Sequence, residues 1–345
     1  MKREELGSLV EAGVLLTSRA LEAGWPRRTL FRRLEAEGWG RVRAGAWAEP
    51  GARVDRLVQL KATQLLHPRF VVGHSSAAHL WQIETLDAEQ RAGLEFIDPE
   101  LGFRQSVTGI RVHRVPLAEA DVVEHQGLRV TDVPRTLADL LRAGPRDNAV
   151  VAAESALGYR RVGGARRAPP TAPAAVAFAL EAPLRGATRA RTWLGLVDRG
   201  SGSPAETVAR LHMHDARLHP ETQAEVHPRG GPRRHLDFLF RAEGLAVEIE
   251  GYAYHGTREA HRRDVSRFNQ IPQCPEVRRL LRFTAEDVFH TGTHPPIEPG
   301  GRSGVGDHNL PRTQPAYPAR NSPFTTLPLA FRGSSATNST ARGTL

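Results

Sequence analysis

Between residues 234 and 251 the chain reads RHLDFLFRAEGLAVEIEG, two runs of alternating side chains joined by Arg241 to Gly244. Strand side chains alternate with period two, whereas a helix repeats every 3.6 residues, so this pattern predicts a β-hairpin. In the register that the four-residue connection sets, Phe240 faces Leu245, Phe238 faces Val247 and Leu236 faces Ile249. These six side chains make one continuous apolar face. An isolated hairpin is marginal in water, so the face needs further strands or helices to cover it.

The opposite face follows from the same alternation. Asp237 is expected directly across from Glu248, with Glu250 one step along and opposite His235. Facing carboxylates on paired strands have Cβ atoms roughly 4.5–5.5 Å apart and repel unless something cationic lies between them. A hard divalent cation suits that place, because Mg²⁺ is held by one or two carboxylates together with water and phosphate oxygens. A solvated acidic strand face is the alternative.

The flanking segments add polar groups. Upstream, SGSPAETVARLHMHDARL predicts a helix with Ser203 as N-cap and Pro204 in its first turn. Glu206 stands three residues after the cap, and a capping box accounts for it without catalysis. Downstream, YAYHGTREAHRRDVSRFNQ places His255 on a loop and then Arg263 and Arg267 four apart on a helix face. Such a basic face suits backbone phosphates, or is a solvated helix surface.

With these residues in place, the segment from about residue 201 to residue 288 resembles the very-short-patch-repair-like proteins of the PD-(D/E)XK nuclease superfamily. The matching pieces, in order, are SPAET, HLDFLF, LAVEIEGYAYH, RRDVSRFNQ and LLRFTAEDV. The resemblance implies a mixed sheet flanked by helices and Mg²⁺-dependent hydrolysis of phosphodiester bonds. It implies Asp237 as the metal-bridging aspartate, Glu248 as the second acid, Glu206 as the helix carboxylate, and His255 as a proton carrier or phosphate ligand. Glu250, Glu206 or His255 would then orient the attacking water or take its proton, with Arg263 or Arg267 positioning the strand. The chain departs from the family pattern at position 250, where Glu replaces the usual lysine. Lysine occurs only at Lys2 and Lys61, so no other lysine of this segment can substitute. Pro272 and Pro275 also fall where the related helix normally continues, and they predict a broken helix end.

At the N-terminus a helix is expected over residues 3–12, then Thr17 as the N-cap of a short helix ending at Gly24, then a third helix opened by Pro26. Leu30, Leu34 and Phe31 mark the buried side of that third helix. Arg27, Arg28, Arg32 and Arg33 mark its outer side, followed by Arg41 and Arg43. The glycines at 38, 40 and 45 with Val42 and Trp47 predict a two-stranded wing. This order is that of a winged helix-turn-helix whose third helix enters the DNA major groove; a three-helix bundle with a solvated basic face is the alternative. The segment also resembles the N-terminal domain of AbiEi-type abortive-infection antitoxins. GHSSAAHLW and TDVPRTLADLL, further on, resemble the middle region of actinobacterial proteins that join such a head to a nuclease-like tail. His74 and His79, five apart, are awkwardly spaced for two ligands on one helix face and read as packing or capping residues.

Composition narrows the function classes. The 345 residues carry 47 Lys plus Arg against 38 Asp plus Glu, a net charge of +9, which favours an anionic partner and above all DNA. Arginine supplies nearly all of that positive charge, and it pairs bidentately with phosphates and guanine edges. No apolar run is long enough for a membrane span, and the start of the chain lacks the pattern of an export signal. A lone Cys274 excludes an internal disulfide and fits a cytoplasmic protein.

The expected fold class is therefore α/β, α+β overall: a winged helix-turn-helix over residues 1–53, a mixed α/β middle region over 54–158, a linker with short helices over 159–200, a restriction-endonuclease-like mixed sheet flanked by helices over 201–290, and a disordered tail rich in Gly, Pro, Ser and Thr over 291–345. The expected function is a DNA-binding, Mg²⁺-dependent endonuclease in phage defence. The alternative is a non-catalytic AbiEi-like antitoxin or repressor with a degenerate nuclease domain, and a cognate toxin protein as partner.

Overall fold

The computed structural model of the chain describes residues 5–86, 93–102, 108–228, 231–250 and 270–289. The fold is mixed, α+β overall, and divides into two compact units. The first comprises residues Met1–Leu157 and Arg161–Val197; the second comprises Gly158–Arg160 and the described residues from Asp198 onward. Among the described residues no helix is long and apolar enough to cross a membrane.

The first unit opens with a 3-10 turn at Leu6–Leu9, strand β1 (Val14–Leu16), helices α1 (Thr17–Glu22) and α2 (Arg27–Ala36), and strands β2 (Gly40–Arg43) and β3 (Ala46–Ala48). The three strands form one antiparallel sheet in the order β1-β3-β2. The two strands expected after the third helix are present as β2 and β3, with Gly45 at φ 86 in the turn between them, a conformation that side chains with a Cβ rarely adopt. The helix expected over residues 3–12 is corrected to the short 3-10 turn. Ala12 and Gly13 both take positive φ, and the buried Val14, Leu15 and Leu16 are drawn into the sheet beside β3. Thr17 is likewise not an N-cap. Its amide donates to the Gly45 carbonyl at 2.9 Å, and its hydroxyl accepts from the Trp47 indole at 3.1 Å. Leu6, Leu15, Trp25, Leu30, Leu34 and Trp39 form the core under α2.

The rest of this unit holds α3 (Arg56–Leu66), β4 (Val71–Val72), α4 (His74–Leu80), β5 (Leu94–Ile97), β6 (Ile110–His113), β7 (Val122–His125), β8 (Leu128–Thr131), α5 (Val133–Ala143) and α6 (Arg146–Leu157). The sheet order is β6-β5-β4-β8-β7, with β4 parallel to β8 and β5 parallel to β6. Asp132 caps α5, accepting from the Arg135 amide at 2.7 Å. Inside α5, the buried Asp139 lies between two buried arginines, 2.9 Å from Arg135 and 2.6 Å from Arg142. The segment read as a linker instead carries strands β9 (Arg160–Val162) and β10 (Ala165–Arg167), then the expected short helices α7 (Pro173–Ala179) and α8 (Ala187–Leu194). Val176, Leu180 and Ala190 of that stretch join Leu137, Leu141 and Ala152 in one core cluster, so α7 and α8 belong to a packed unit.

The second unit contains α9 (Pro204–Asp215), β11 (Glu221–Val226), β12 (Arg234–Phe240), β13 (Leu245–Glu250), β14 (Arg279–Thr284) and α10 (Ala285–Phe289). The sheet runs β11-β12-β13-β14, antiparallel at the first two junctions and parallel at the last. The hairpin register is as the alternation predicts: Phe240 pairs with Leu245 and Phe238 with Val247. Gly244, at φ 59, closes the turn. All six side chains of the apolar face are buried, with α9 against β13. Pro272 lies in a 3-10 turn at Ile271–Gln273 that precedes β14; the helix expected before it lies outside the described residues.

Candidate active site

The acidic face of the hairpin is not a solvated surface. Glu248 is 3% exposed and Asp237 is half-buried. The expected Leu236–Ile249, Asp237–Glu248 and His235–Glu250 ladder pairs are corrected, because the ladder between β12 and β13 ends at Phe238 and Val247. Beyond that point carboxylates take the place of carbonyls as acceptors. The Asp237 amide donates to Glu248 Oε1 at 3.1 Å, and the Ile249 amide donates to Asp237 Oδ2 at 2.8 Å. Each acid is therefore anchored by the backbone of the strand opposite. His235 instead lies on the β11 side, exposed and 3.9 Å from Glu225.

The interruption extends to the other edge of β12. Between β11 and β12 the register runs through Thr222↔Phe238 and Ala224↔Leu236, but Gln223 and Asp237 drop out of it. Gln223 adopts φ 46, in the left-handed region. Its side-chain amide donates to Glu206 Oε2 at 3.0 Å and lies 3.4 Å from Asp237 Oδ1.

Glu206 comes from the first turn of α9. Its Oε2 accepts from the Gly202 amide at 2.7 Å, its Oε1 from the Ser203 hydroxyl at 2.9 Å, and its own amide donates to Ser203 Oγ at 3.2 Å. The side chain caps the helix one residue further out than a simple capping box does, and so also reaches the sheet. Burial and the neighbouring Asp237 carboxylate push its pKa above the ordinary glutamate value, while Gly202, Ser203 and the positive charge of Arg160 pull the other way. Arg160 is 5% exposed and donates to the Ser201 carbonyl at 2.5 Å.

Glu250, in the place of the usual lysine, is ion-paired with Arg282 of β14. The parallel register Glu248↔Arg282 and Glu250↔Thr284 puts Glu248, Glu250 and Arg282 on one face of the sheet. Glu206, Asp237, Glu248 and Glu250 thus all lie at or beside one end of the hairpin. The other residues proposed for this site, His255, Arg263 and Arg267, lie outside the described residues, as does the tail expected to be disordered.

The side chains of Asp237 and Glu248 offer oxygen donors. That matches the sparse protein ligation Mg²⁺ accepts, since each carboxylate offers about four lone-pair sites and the amides occupy some of them. Among the described residues no group of three or more His, Cys, Asp or Glu side chains is arranged to hold a metal ion.

In the first unit, α2 separates its basic residues into different roles. Arg28 and Arg32 are exposed. Arg27 lies 5.4 Å from the Phe31 ring centroid, and Arg33 is ion-paired with Glu37 and 5.0 Å from the Trp25 ring. Arg43 turns inward to bond the Thr63 hydroxyl at 2.7 Å, whereas Arg41 is exposed. Gln223 and Arg160 are the polar groups that sequence reasoning missed. For Gln223 the available signal was the ETQAEV alternation, which puts it opposite Ala224 and Val226 on the polar face. Arg160 had none, because it lies in a Gly- and Arg-rich stretch distant from the acids.

No protein-family model matches the chain, and no curated protein matches it. Among solved structures, the crystal structure of the RV2827C protein from Mycobacterium tuberculosis is similar at a TM-score of 0.38 and 19% sequence identity, covering 63% of this chain and 81% of that one.

Proposed function

We propose that the second unit is a Mg²⁺-dependent endodeoxyribonuclease of the very-short-patch-repair-like type, and that the N-terminal segment is an AbiEi-like winged helix that brings it to DNA. The observation that carries this reading is the exchange of ladder bonds for the Asp237 and Glu248 carboxylates beside Glu206. Burying adjacent carboxylates costs free energy, which a cation or a proton relieves. Asp237 and Glu248 would hold Mg²⁺, and the ion, when bound, supplies polarisation of the scissile phosphate and a water of lowered pKa. Glu206, whose proton affinity is raised by burial and by the Asp237 carboxylate, is suited to take a proton at its carboxylate. Glu250 is held by Arg282 at the rim, where it can orient water, and Arg28 and Arg32 supply exposed charge for backbone phosphates. A role in phage defence fits both resemblances.

One observation favours a second reading. The lysine position is filled by a glutamate already neutralised by Arg282, which suits a retired site in a non-catalytic DNA-binding antitoxin or repressor with a toxin protein as partner.

A nicking assay on supercoiled DNA, run beside a gel-shift assay, separates the two. The nuclease reading expects Mg²⁺-dependent nicking that falls to background in Asp237→Ala while DNA retention is unchanged. Equal trace nicking by wild type and variant, with DNA retention intact, overturns it in favour of the regulator.

A further inference from the structure

We infer that Gln223 is the positioning residue of the acid cluster, setting Glu206 against Asp237 through its side-chain amide; this rests on the nuclease reading above. Two independent features point to it. The first is backbone conformation. Gln223 sits in the middle of β11 at φ 46, although strand residues normally lie near φ −120° to −140° and left-handed backbone is unfavourable for a residue with a Cβ. The kink takes Gln223 and Asp237 out of the β11–β12 register, while pairing is intact on both sides of them. A strained residue inside a regular strand persists where the surroundings over-determine it, and such residues cluster at functional sites.

The second feature is where the side chain goes. Its Nε2 donates to Glu206 Oε2 at 3.0 Å, and at 3.4 Å from Asp237 Oδ1 it makes only a weak second contact. Both neighbours are carboxylates, which accept and do not donate, so the –NH₂ end and not the carbonyl end must face them. One neutral group with two N–H bonds thus spans acids from two different elements, α9 and β12. It does so without adding the positive charge that a lysine or arginine would bring. The amide therefore holds the two carboxylates close to one another and fixes where each points.

The test uses the full-length protein with Gln223→Gly and Gln223→Asn. Both replacements tolerate positive φ; glycine removes the amide, and asparagine draws it back by one methylene. Steady-state cleavage of DNA and thermal melting are measured for each. The expected result is a kcat about 10- to 100-fold lower with an unchanged KM for DNA, and a melting temperature no lower than that of wild type, because misplacing a reacting group costs turnover and not binding. A Gln223→Gly protein that melts like wild type and cuts at the wild-type kcat overturns the inference and leaves the nuclease reading standing. A kcat loss that tracks a fall in melting temperature, with Gln223→Asn cutting normally, also overturns it, since Gln223 would then serve only to shape the strand. A wild type that never cuts removes the nuclease reading and this inference together.

Discussion

Lowering the pH from 7.5 to 5 is expected to destabilise the first unit by about 2 kcal/mol through one side chain, His74. This histidine opens α4 at φ 50, is 4% exposed, and among the described residues its Nε2 has no hydrogen-bond partner. Its ring stacks on His113 at 3.6 Å, with Glu95 on β5 and Asp139 and Arg135 on α5 completing the charged surroundings. Burial, and then the neighbouring His113, draw its pKa from 6.5 down to about 4, against the weaker opposing pull of Asp139 and Glu95. A folded-state pKa below the unfolded one means that the unfolded chain binds more protons. Stability is therefore complete above pH 6.5 and is lost as pH falls toward 4. The whole shift corresponds to about 3 kcal/mol, of which about 2 kcal/mol is reached by pH 5. Glu95, drawn down to about 2, is ionised in both states across this window and leaves it undisturbed. All five tryptophans (Trp25, Trp39, Trp47, Trp81 and Trp193) lie in the first unit, so their fluorescence follows its urea unfolding. With a slope of roughly 2 kcal/mol per molar urea, the midpoint should fall by about 1 M. His74→Asn keeps a residue that tolerates positive φ and removes the titration. His67, also shifted downward, remains in both proteins, so the difference between the two pH curves isolates His74. Parallel curves for wild type and His74→Asn would refute the reasoning.

Two further outcomes follow from the same physics. Asp139→Asn leaves Arg135 and Arg142 buried without the carboxylate between them, and is expected to cost about 3–5 kcal/mol in the same tryptophan-monitored unfolding. In salt titrations of DNA binding, Arg28→Ala and Arg32→Ala should each reduce the slope of log K against log salt by about 1, whereas Arg33→Ala should change it less because Glu37 already neutralises that guanidinium.

Several local features were legible in the amino-acid order. The hairpin register from Phe238 to Val247 and the two-stranded turn after α2 are set by side-chain period and turn residues, which act within a few residues of one another. The same locality explains the errors. Residues 3–12 carry helix-forming types, yet Val14, Leu15 and Leu16 gain more by joining β3, which lies about 30 residues along the chain. The Gly- and Arg-rich stretch after Gly158 resembles a linker in composition, but a strand needs only a partner, and Arg160 finds its burial beside Ser201.

The acids at 237, 248 and 250 could be placed together from alternation alone, whereas capping placed Glu206 on its helix turn and only the family resemblance joined it to them. Their arrangement could not be read in this way. Whether a carboxylate faces water, a neighbouring carboxylate or a backbone amide depends on how strands splay, and that is decided when β11, β12, β13 and α9 meet. Amino-acid order determined the elements, the apolar face and the set of acids. Tertiary packing decided that Asp237 and Glu248 would replace ladder bonds, that Gln223 would bend to reach Glu206, and that His74 would be sealed against His113. Each of these depends on contacts between distant segments, where the cost of burying a polar group is met or left standing only in the assembled fold.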